Sequence, residues 1–594
     1  MKERKDIPEK YKWDLSQYCK NFEDCETRLI SLQKQMQKIK TYQGKLTEQN
    51  EDLIFECLKF ESEIFQKLEI LFVYSHLRLS ENLTDSKAVE LKDKVGNVCT
   101  EFGTITSFIL VELGNLSTEF LEKLMKNAKF PQFFNTFKEI IRDKPHILSL
   151  KEEVLLSKVG NFSGGFSDSF DMLDSSDIKF KSVKDSKGKF HELNHSTYSK
   201  FTQSEDRVLR RNAYKNMNGA YGEYNNTISQ LFINSIKKRY FYSEVKNFSS
   251  SMEASMFYEE VSDKVYNTLI KSVNKNLDLA YEIYETKRKL LGLKQIGNYD
   301  MNATVNSKFD LKITYEQSIE LLKKALKPLG ENYVSLLEKA KNERWIDVFD
   351  NVGKDTGQFS WAAYGANPIV FLRYNDSFDS LSTTAHELGH CFHSYFSDKN
   401  QPYENAQYAV FVAEVASQVN EVLLLFYLIE TAKNKQEKIC YYEKFFNQFR
   451  DSVIRQTMFA EFEKFAHDEY QKTKALSKDI LNDKYFELNQ KYFGNKVEIL
   501  LETKFEWSRV PHFYKSFYVY KYSTGLISAI QIAHKIYNNE PNARENYLKF
   551  LSSGSTLPPV ELLKITGVDL ENEKTFDEVF AYIKSLLVDF KKLN

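Results

Sequence analysis

Apolar residues along most of this chain recur at three- and four-residue steps, and that spacing is the strongest constraint on its fold. Leu29, Ile30, Leu32, Met36 and Ile39 follow it, and Leu53, Ile54, Leu58, Phe60, Ile64 and Leu68 continue it. Side chains so spaced share one face of an α-helix and need a partner to cover them. Residues 15–160 therefore read as successive helices with short polar interruptions. The same texture returns from about 203 to 345 and again from about 380 to the end. The prediction is a mostly α protein with an all-helical N-terminal lobe over 1–195.

Two stretches depart from that texture. Ile178, Phe180 and Val183 alternate, a turn follows at Asp185-Ser186-Lys187-Gly188, and Phe190 and Leu193 come next. This reads as a β-hairpin. Residues 359–374 are rich in aromatic and β-branched side chains, broken by Gly365 and Pro368, and predict one or two short strands. Gly160, Gly164 and Gly165, set among serines, read as a loop. It lacks the G-K-[S/T] ending of a phosphate-binding loop, which argues against a nucleotide site.

The 594 residues carry 82 basic and 83 acidic side chains, a net charge of -1. That balance supplies no electrostatic case for nucleic acid or an anionic membrane. The longest strongly apolar run, 422–429, falls far short of the roughly 20 residues of a membrane span. No apolar leader follows the first residues, and six cysteines without a CxxC pair fit reduced thiols. A cytoplasmic location is the expectation.

Chemistry concentrates in Thr384-Ala385-His386-Glu387-Leu388-Gly389-His390-Cys391-Phe392-His393. Residues four apart on a helix lie one above the other, so His386 and His390 can grip one zinc ion. Glu387 sits about 100° round the helix, beside the metal, where a general base for a water belongs. A chain with ten histidines produces H-E-x-x-H by chance on the order of 0.01 times, which weighs against a helix that merely happens to carry histidines. Leu381, Ala385, Leu388, Phe392 and Tyr395 form a packing stripe opposite His386, His390 and His393.

Zinc at a catalytic site takes a third protein ligand and keeps one position open. The metzincin pattern fails, because it needs Gly at 393 and His at 396, where this chain has His393 and Phe396. His393 lies on the ligand face, yet three ligands from under two turns of one helix crowd the metal. A third option, beside His393, is a carboxylate on the next helix. Glu414, Gln418 and Glu421 recur there at i, i+4, i+7, against Val412, Val415, Val419 and Phe426. A solvated face is the plain alternative, but glutamates on so apolar a helix are costly to bury unless paired or metal-bound. Glu414 is taken as the third ligand, with Glu421 as a partner that fixes an imidazole tautomer.

These motifs together resemble the oligoendopeptidase F family, relatives of thimet oligopeptidase. The resemblance rests on H386-E-L-G-H390-C-F-H393, on A413-E414-V-A-S417 with N420-E421, on Trp13-Asp14-Leu15, on the strand Asn367-Pro-Ile-Val-Phe-Leu-Arg-Tyr374, and on the segment from Arg509 to Gly525. It spans essentially the whole chain. It implies a large helical zinc-peptidase body with a deep central channel and a catalytic domain over 196–594. It also implies one zinc per chain held by His386, His390 and Glu414, and short peptides as substrates. Trp361-Ala362-Ala363-Tyr364 departs from the glycine- and aspartate-richer stretch expected there, which bears on subsite preference.

The segment from His512 to Tyr522 holds four tyrosines in nine positions, Tyr514, Tyr518, Tyr520 and Tyr522, against 35 in the whole chain. Tyr514, Tyr518 and Tyr522 have the spacing of one helical face, and an aromatic packing stripe explains that equally well. The resemblance implies that His512 and one or two tyrosines hydrogen-bond the tetrahedral intermediate. His512, Tyr518 and Tyr522 are the expected set, with Tyr520 as the alternative. The expected activity is internal cleavage of short peptides by a metal-activated water with Glu387 as base. The rival readings are a zinc exopeptidase that captures a chain terminus and a helical scaffold around a structural zinc.

Overall fold

A computed structural model describes residues 2–305 and 312–593. Among the described residues 72% are helical and the sheets are small, as the apolar spacing predicts. The N-terminal helices show how that spacing is used. Asn50 caps the helix Glu51–Glu81 by accepting from the Leu53 N–H, and Ile54, Phe55, Leu58, Ile64, Leu68 and Leu71 turn inward. Val95, Val98 and Phe102 of the helix Ser86–Thr106 join the same core, and so do Ala363, Ile369 and Phe371.

Two compact units make up the chain, and each is interleaved along the sequence. The first comprises Met1–Pro145, Leu311–Tyr427 and Ile532–Gly567; the second comprises His146–Asp310, Leu428–Gln531 and Val568–Asn594. The division at 195/196 expected from sequence texture falls inside the second unit. Packing across long sequence separations defines these units, and local periodicity carries no record of it.

The first unit holds a three-stranded sheet: β1 (Ile346–Phe349), β2 (Phe359–Trp361) and β3 (Ile369–Tyr374). The order is β1-β3-β2, with β1 parallel and β2 antiparallel to β3. Trp361 faces Ile369, and Phe359 faces Phe371. Residues Ile369, Val370, Phe371 and Leu372 are all buried, as expected of a central strand covered on both faces. Lys354, also buried, donates to Asp347 at 2.6 Å and to the carbonyls of Phe349 and Leu372 at 2.7 and 2.6 Å. Its charge is thus paired and its protons used, the condition under which a buried cation is tolerated.

Three local expectations are resolved differently. The hairpin near 183–191 forms, but only as the two-residue strands Val183–Lys184 and Phe190–His191. The glycine-serine run is not a loop. It lies in the helices Leu150–Ser163 and Gly165–Met172, and Gly164 between them keeps a helical φ of -72. Glu152 supports the start of the first helix by accepting from the Ser149 N–H at 2.9 Å. Finally, the helix Val410–Thr431 is long and apolar enough to cross a membrane by length and composition, which counting the run 422–429 alone missed. Its apolar window is 78% buried within the protein, and it carries Glu414 and Glu421 inward, so it serves as a core helix.

Candidate metal and catalytic centre

Two helices of the first unit build the site. Helix α1 (Phe378–Asn400) starts at Ser377, whose hydroxyl accepts from the Ser380 N–H at 3.1 Å. Leu381, Ala385, Leu388 and Phe392 are fully buried, so the stripe packs and the opposite face presents His386 and His390, both part-exposed. Helix α2 (Val410–Thr431) runs against it.

The contact between these helices is unusually close, and Gly389 permits it. A Cβ at position 389 would lie 2.5 Å from the Ser417 Cα and 2.7 Å from the Ala416 carbonyl oxygen. Backbone cannot yield as a flexible side chain can, so only glycine fits there. Asn420 fastens the same contact by donating to the Ala385 carbonyl at 3.1 Å, and the Tyr333 hydroxyl donates to Asn420 at 2.9 Å.

That approach brings Glu414 to the histidines. Its Oε2 lies 3.4 Å from His386 Nε2 and 3.7 Å from His390 Nε2. Four-coordinate zinc with bonds of about 2.0–2.1 Å sets its ligand atoms about 3.3–3.4 Å apart. The two nitrogens and one oxygen therefore have the chemistry and the spacing of a zinc ligand set. Among the described residues this is the one group of three metal-capable side chains whose ligand atoms lie within 4.8 Å of one another. The Ser417 hydroxyl donates to Glu414 Oε2 at 3.1 Å and orients it.

Glu421 hydrogen-bonds His386 Nδ1. In the neutral ring that bond commits the Nδ1 proton to the carboxylate and leaves Nε2 as the lone-pair donor facing Glu414. Burial disfavours the charged His386 ring, but Glu421, Glu387 and Glu414 together outweigh it and push the ring up to about 9. Glu387 is 7% exposed. Burial raises its carboxyl to about 7; His386 pulls the other way, and Glu414 and Glu421 add to the rise. The backbone of Ser360, on β2, pulls weakly the other way by favouring the charged carboxylate.

His393 is not part of this set. It is 1% exposed, and its ring stacks on Tyr408 with centroids 3.5 Å apart and planes 7° apart. Burial drives its pKa down to about 3, so it packs as a neutral ring. Helical phase alone placed it on the ligand face. The turn that brings Tyr408 over it was invisible in that phase.

Comparison with known proteins decides the family. The model of peptidase family M3 matches residues 200–582, and a model of oligopeptidase F matches 112–180. The chain belongs to peptidase family M3. Oligopeptidase PepF of Bacillus subtilis is 33% identical over 598 residues, covering 99% of this chain and 89% of its own. Group B oligopeptidase PepB of Streptococcus agalactiae is 32% identical, covering 99% and 98%. Oligoendopeptidase-F from Enterococcus faecium, a solved structure 29% identical, superposes with a TM-score of 0.73 over 96% of this chain and 98% of that one. A solved structure from Chlamydophila abortus, 30% identical, reaches 0.94 over 100% of both chains. This M3 chain is a metallo-oligoendopeptidase, and its reaction is peptide hydrolysis.

The second unit of the M3 chain holds the tyrosine-rich segment, and it is not one helix. A short 3-10 turn covers Pro511–Tyr514, and helix begins again only at Tyr520. The four-residue spacing of Tyr514, Tyr518 and Tyr522 is therefore not a helical face. Tyr514 packs on Phe170, with centroids 4.7 Å apart. Tyr520 is fully buried and donates to Glu259 at 3.2 Å. His512, Tyr518 and Tyr522 instead turn toward one another. The Tyr522 hydroxyl lies 3.3 Å from His512 Nε2, and the Tyr518 ring lies 6.1 Å from His512 and 5.5 Å from Tyr522. All three keep partial exposure.

Phe517 breaks the helix, with a left-handed φ of 58 that a side chain rarely adopts. Its N–H donates to Glu463 at 2.7 Å. Burial pushes the Glu463 carboxyl up to about 8. The Phe517 ring lies against His467 and Tyr266, with centroids 4.7 and 5.7 Å away. Sequence reasoning missed Glu463, since nothing local ties it to a residue 54 positions on.

Proposed function

We propose that this M3 peptidase is a zinc-dependent endopeptidase of short oligopeptides, with His386, His390 and Glu414 as zinc ligands and Glu387 as general base. The observation that carries the proposal is the spacing of Glu414 Oε2 from the two imidazole nitrogens, with a buried carboxylate one residue from His386. Zinc held there would polarise the scissile carbonyl and ease deprotonation of the attacking water. Glu387 accepts a proton from that water and delivers it to the leaving amine, one group acting as base and then as acid. Glu421 keeps His386 in the tautomer that presents Nε2. A purely structural zinc needs no buried carboxylate beside it, which disfavours the scaffold reading.

Internal cleavage is the finer part of this reading, supported by the names of the relatives. Peptides blocked at both ends separate it from terminus-dependent cleavage. We expect hydrolysis of blocked peptides of modest length at rates close to those of their free-ended counterparts. A strict need for a free amino or carboxyl end assigns an exopeptidase instead. Six free cysteines suit a reducing compartment such as the cytoplasm.

For the developing oxyanion, His512, Tyr518 and Tyr522 are the proposed donors, supported by their convergence and partial exposure. Burial and the nearby Lys515 lower the His512 pKa, which favours the neutral ring. Removing one such donor typically costs about 2.7–4 kcal/mol in the transition state. We expect Tyr518→Phe, Tyr522→Phe and His512→Ala each to keep zinc and fold, with at least one falling about a hundredfold or more in kcat. Near-normal kcat in all three assigns the cluster to packing.

A further inference from the structure

A cavity of about 560 Å³ in the first unit borders the metal ligand His390, and its electrostatics are one-sided. Glu61, Glu69, Asp398 and Glu404 line it, and among the described residues no lysine or arginine does. Nor does any of the four carboxylates form an ion pair among those described. Glu69 Oε2 and Asp398 Oδ2 are buried without a hydrogen-bond partner. Burial, with Glu404 beside it, pushes Glu61 up to about 7; burial, with Glu69 beside it, does the same to Asp398. Buried polar oxygens are normally paired, and leaving these two unpaired in one cavity is unfavourable until a hydrogen-bond donor such as an ammonium or guanidinium enters.

The rest of the wall suits an organic cation. Trp361 and Tyr364, from the stretch whose sequence departs from the family pattern, line this cavity together with Tyr403. Tyr364 and Tyr403 meet edge to face, with centroids 5.5 Å apart. Aromatic walls cover the methylene stem of a long side chain and attract its charged head. The carboxylates do not converge as metal ligands do, since the zinc triad is the one such group among the described residues. A dispersed set of anions fits an ammonium or guanidinium better than a metal ion.

We propose that this cavity is a substrate subsite selecting a lysine or arginine side chain near the scissile bond, with Glu61, Glu69, Asp398 and Glu404 as its specificity-determining residues. The inference rests on the peptidase reading above, because it makes the cavity part of the same site through His390.

The test uses end-blocked peptides that carry lysine, its uncharged analogue norleucine, or glutamate at each of three positions on either side of the scissile bond. Turnover is measured on the zinc-loaded chain, and binding by calorimetry on Glu387→Gln. At one position lysine should exceed norleucine by about tenfold in kcat/KM and in affinity, with glutamate the poorest. Glu61→Gln/Asp398→Asn should bring the lysine-to-norleucine ratio to within about twofold of unity. Glu404→Lys should shift preference toward glutamate, and thermal melting checks that both variants fold. Should no position separate lysine from norleucine by more than about twofold in either assay, the subsite proposal is overturned while the peptidase reading stands. Should no peptide be cleaved, the peptidase reading falls and the binding ratios alone decide the cavity.

Discussion

Glu387→Gln is expected to bind zinc as the native chain does and to lose turnover by on the order of 10²–10⁴-fold. The reason is positional. Glu387 stands one residue from His386 on α1, but its carboxylate is buried and belongs to no part of the ligand group. Glutamine preserves its volume and one acceptor oxygen, so the packing of this buried position survives. It cannot take a proton from water. Zinc content by metal analysis and kcat on a blocked peptide, measured on the same preparation, check both halves. A variant that keeps its turnover moves the base elsewhere; a variant that loses its zinc makes Glu387 a ligand.

The second large effect concerns what holds the metal. Glu414→Gln should lower zinc affinity by about a hundredfold or more, because the ligand oxygen between the two imidazoles loses its charge. Gly389→Ala should also lose zinc, although position 389 touches no metal. Its Cβ would meet the Ser417 and Ala416 backbone at 2.5 and 2.7 Å, so α1 and α2 must part and carry Glu414 away from His386 and His390. His393→Gln should retain zinc, since that ring is stacked on Tyr408 and stands outside the ligand group. Affinities from competition with a chromophoric chelator give the ranking. If His393→Gln loses zinc while Glu414→Gln keeps it, the ligand set is the histidine triple of α1.

Local spacing made much of this readable in advance. The helices of the N-terminal stretch and the packing stripe of α1 follow from side-chain periodicity, and the one or two short strands expected within 359–374 follow from its aromatic and β-branched side chains, both properties of adjacent residues. Glu414 and Glu421 were legible because carboxylates on an apolar helix demand a partner. Helical phase misled at His393 and at Tyr514, Tyr518 and Tyr522. In the first case a neighbouring turn buried the ring. In the second, Phe517 adopts a left-handed φ that breaks the helix. Glu463, which accepts the Phe517 N–H, and the close contact at Gly389 depend on residues far apart in sequence, and no local pattern signals either. The interleaved composition of the two units was hidden for the same reason.

The central claim is that one zinc at His386, His390 and Glu414 is required for cleavage. It is tested most directly by stripping the chain with a chelator and titrating zinc back while following hydrolysis of a blocked peptide. The account predicts that stripped protein is inactive and that activity rises linearly to saturation at about one zinc per chain. Full activity in thoroughly metal-free protein contradicts it.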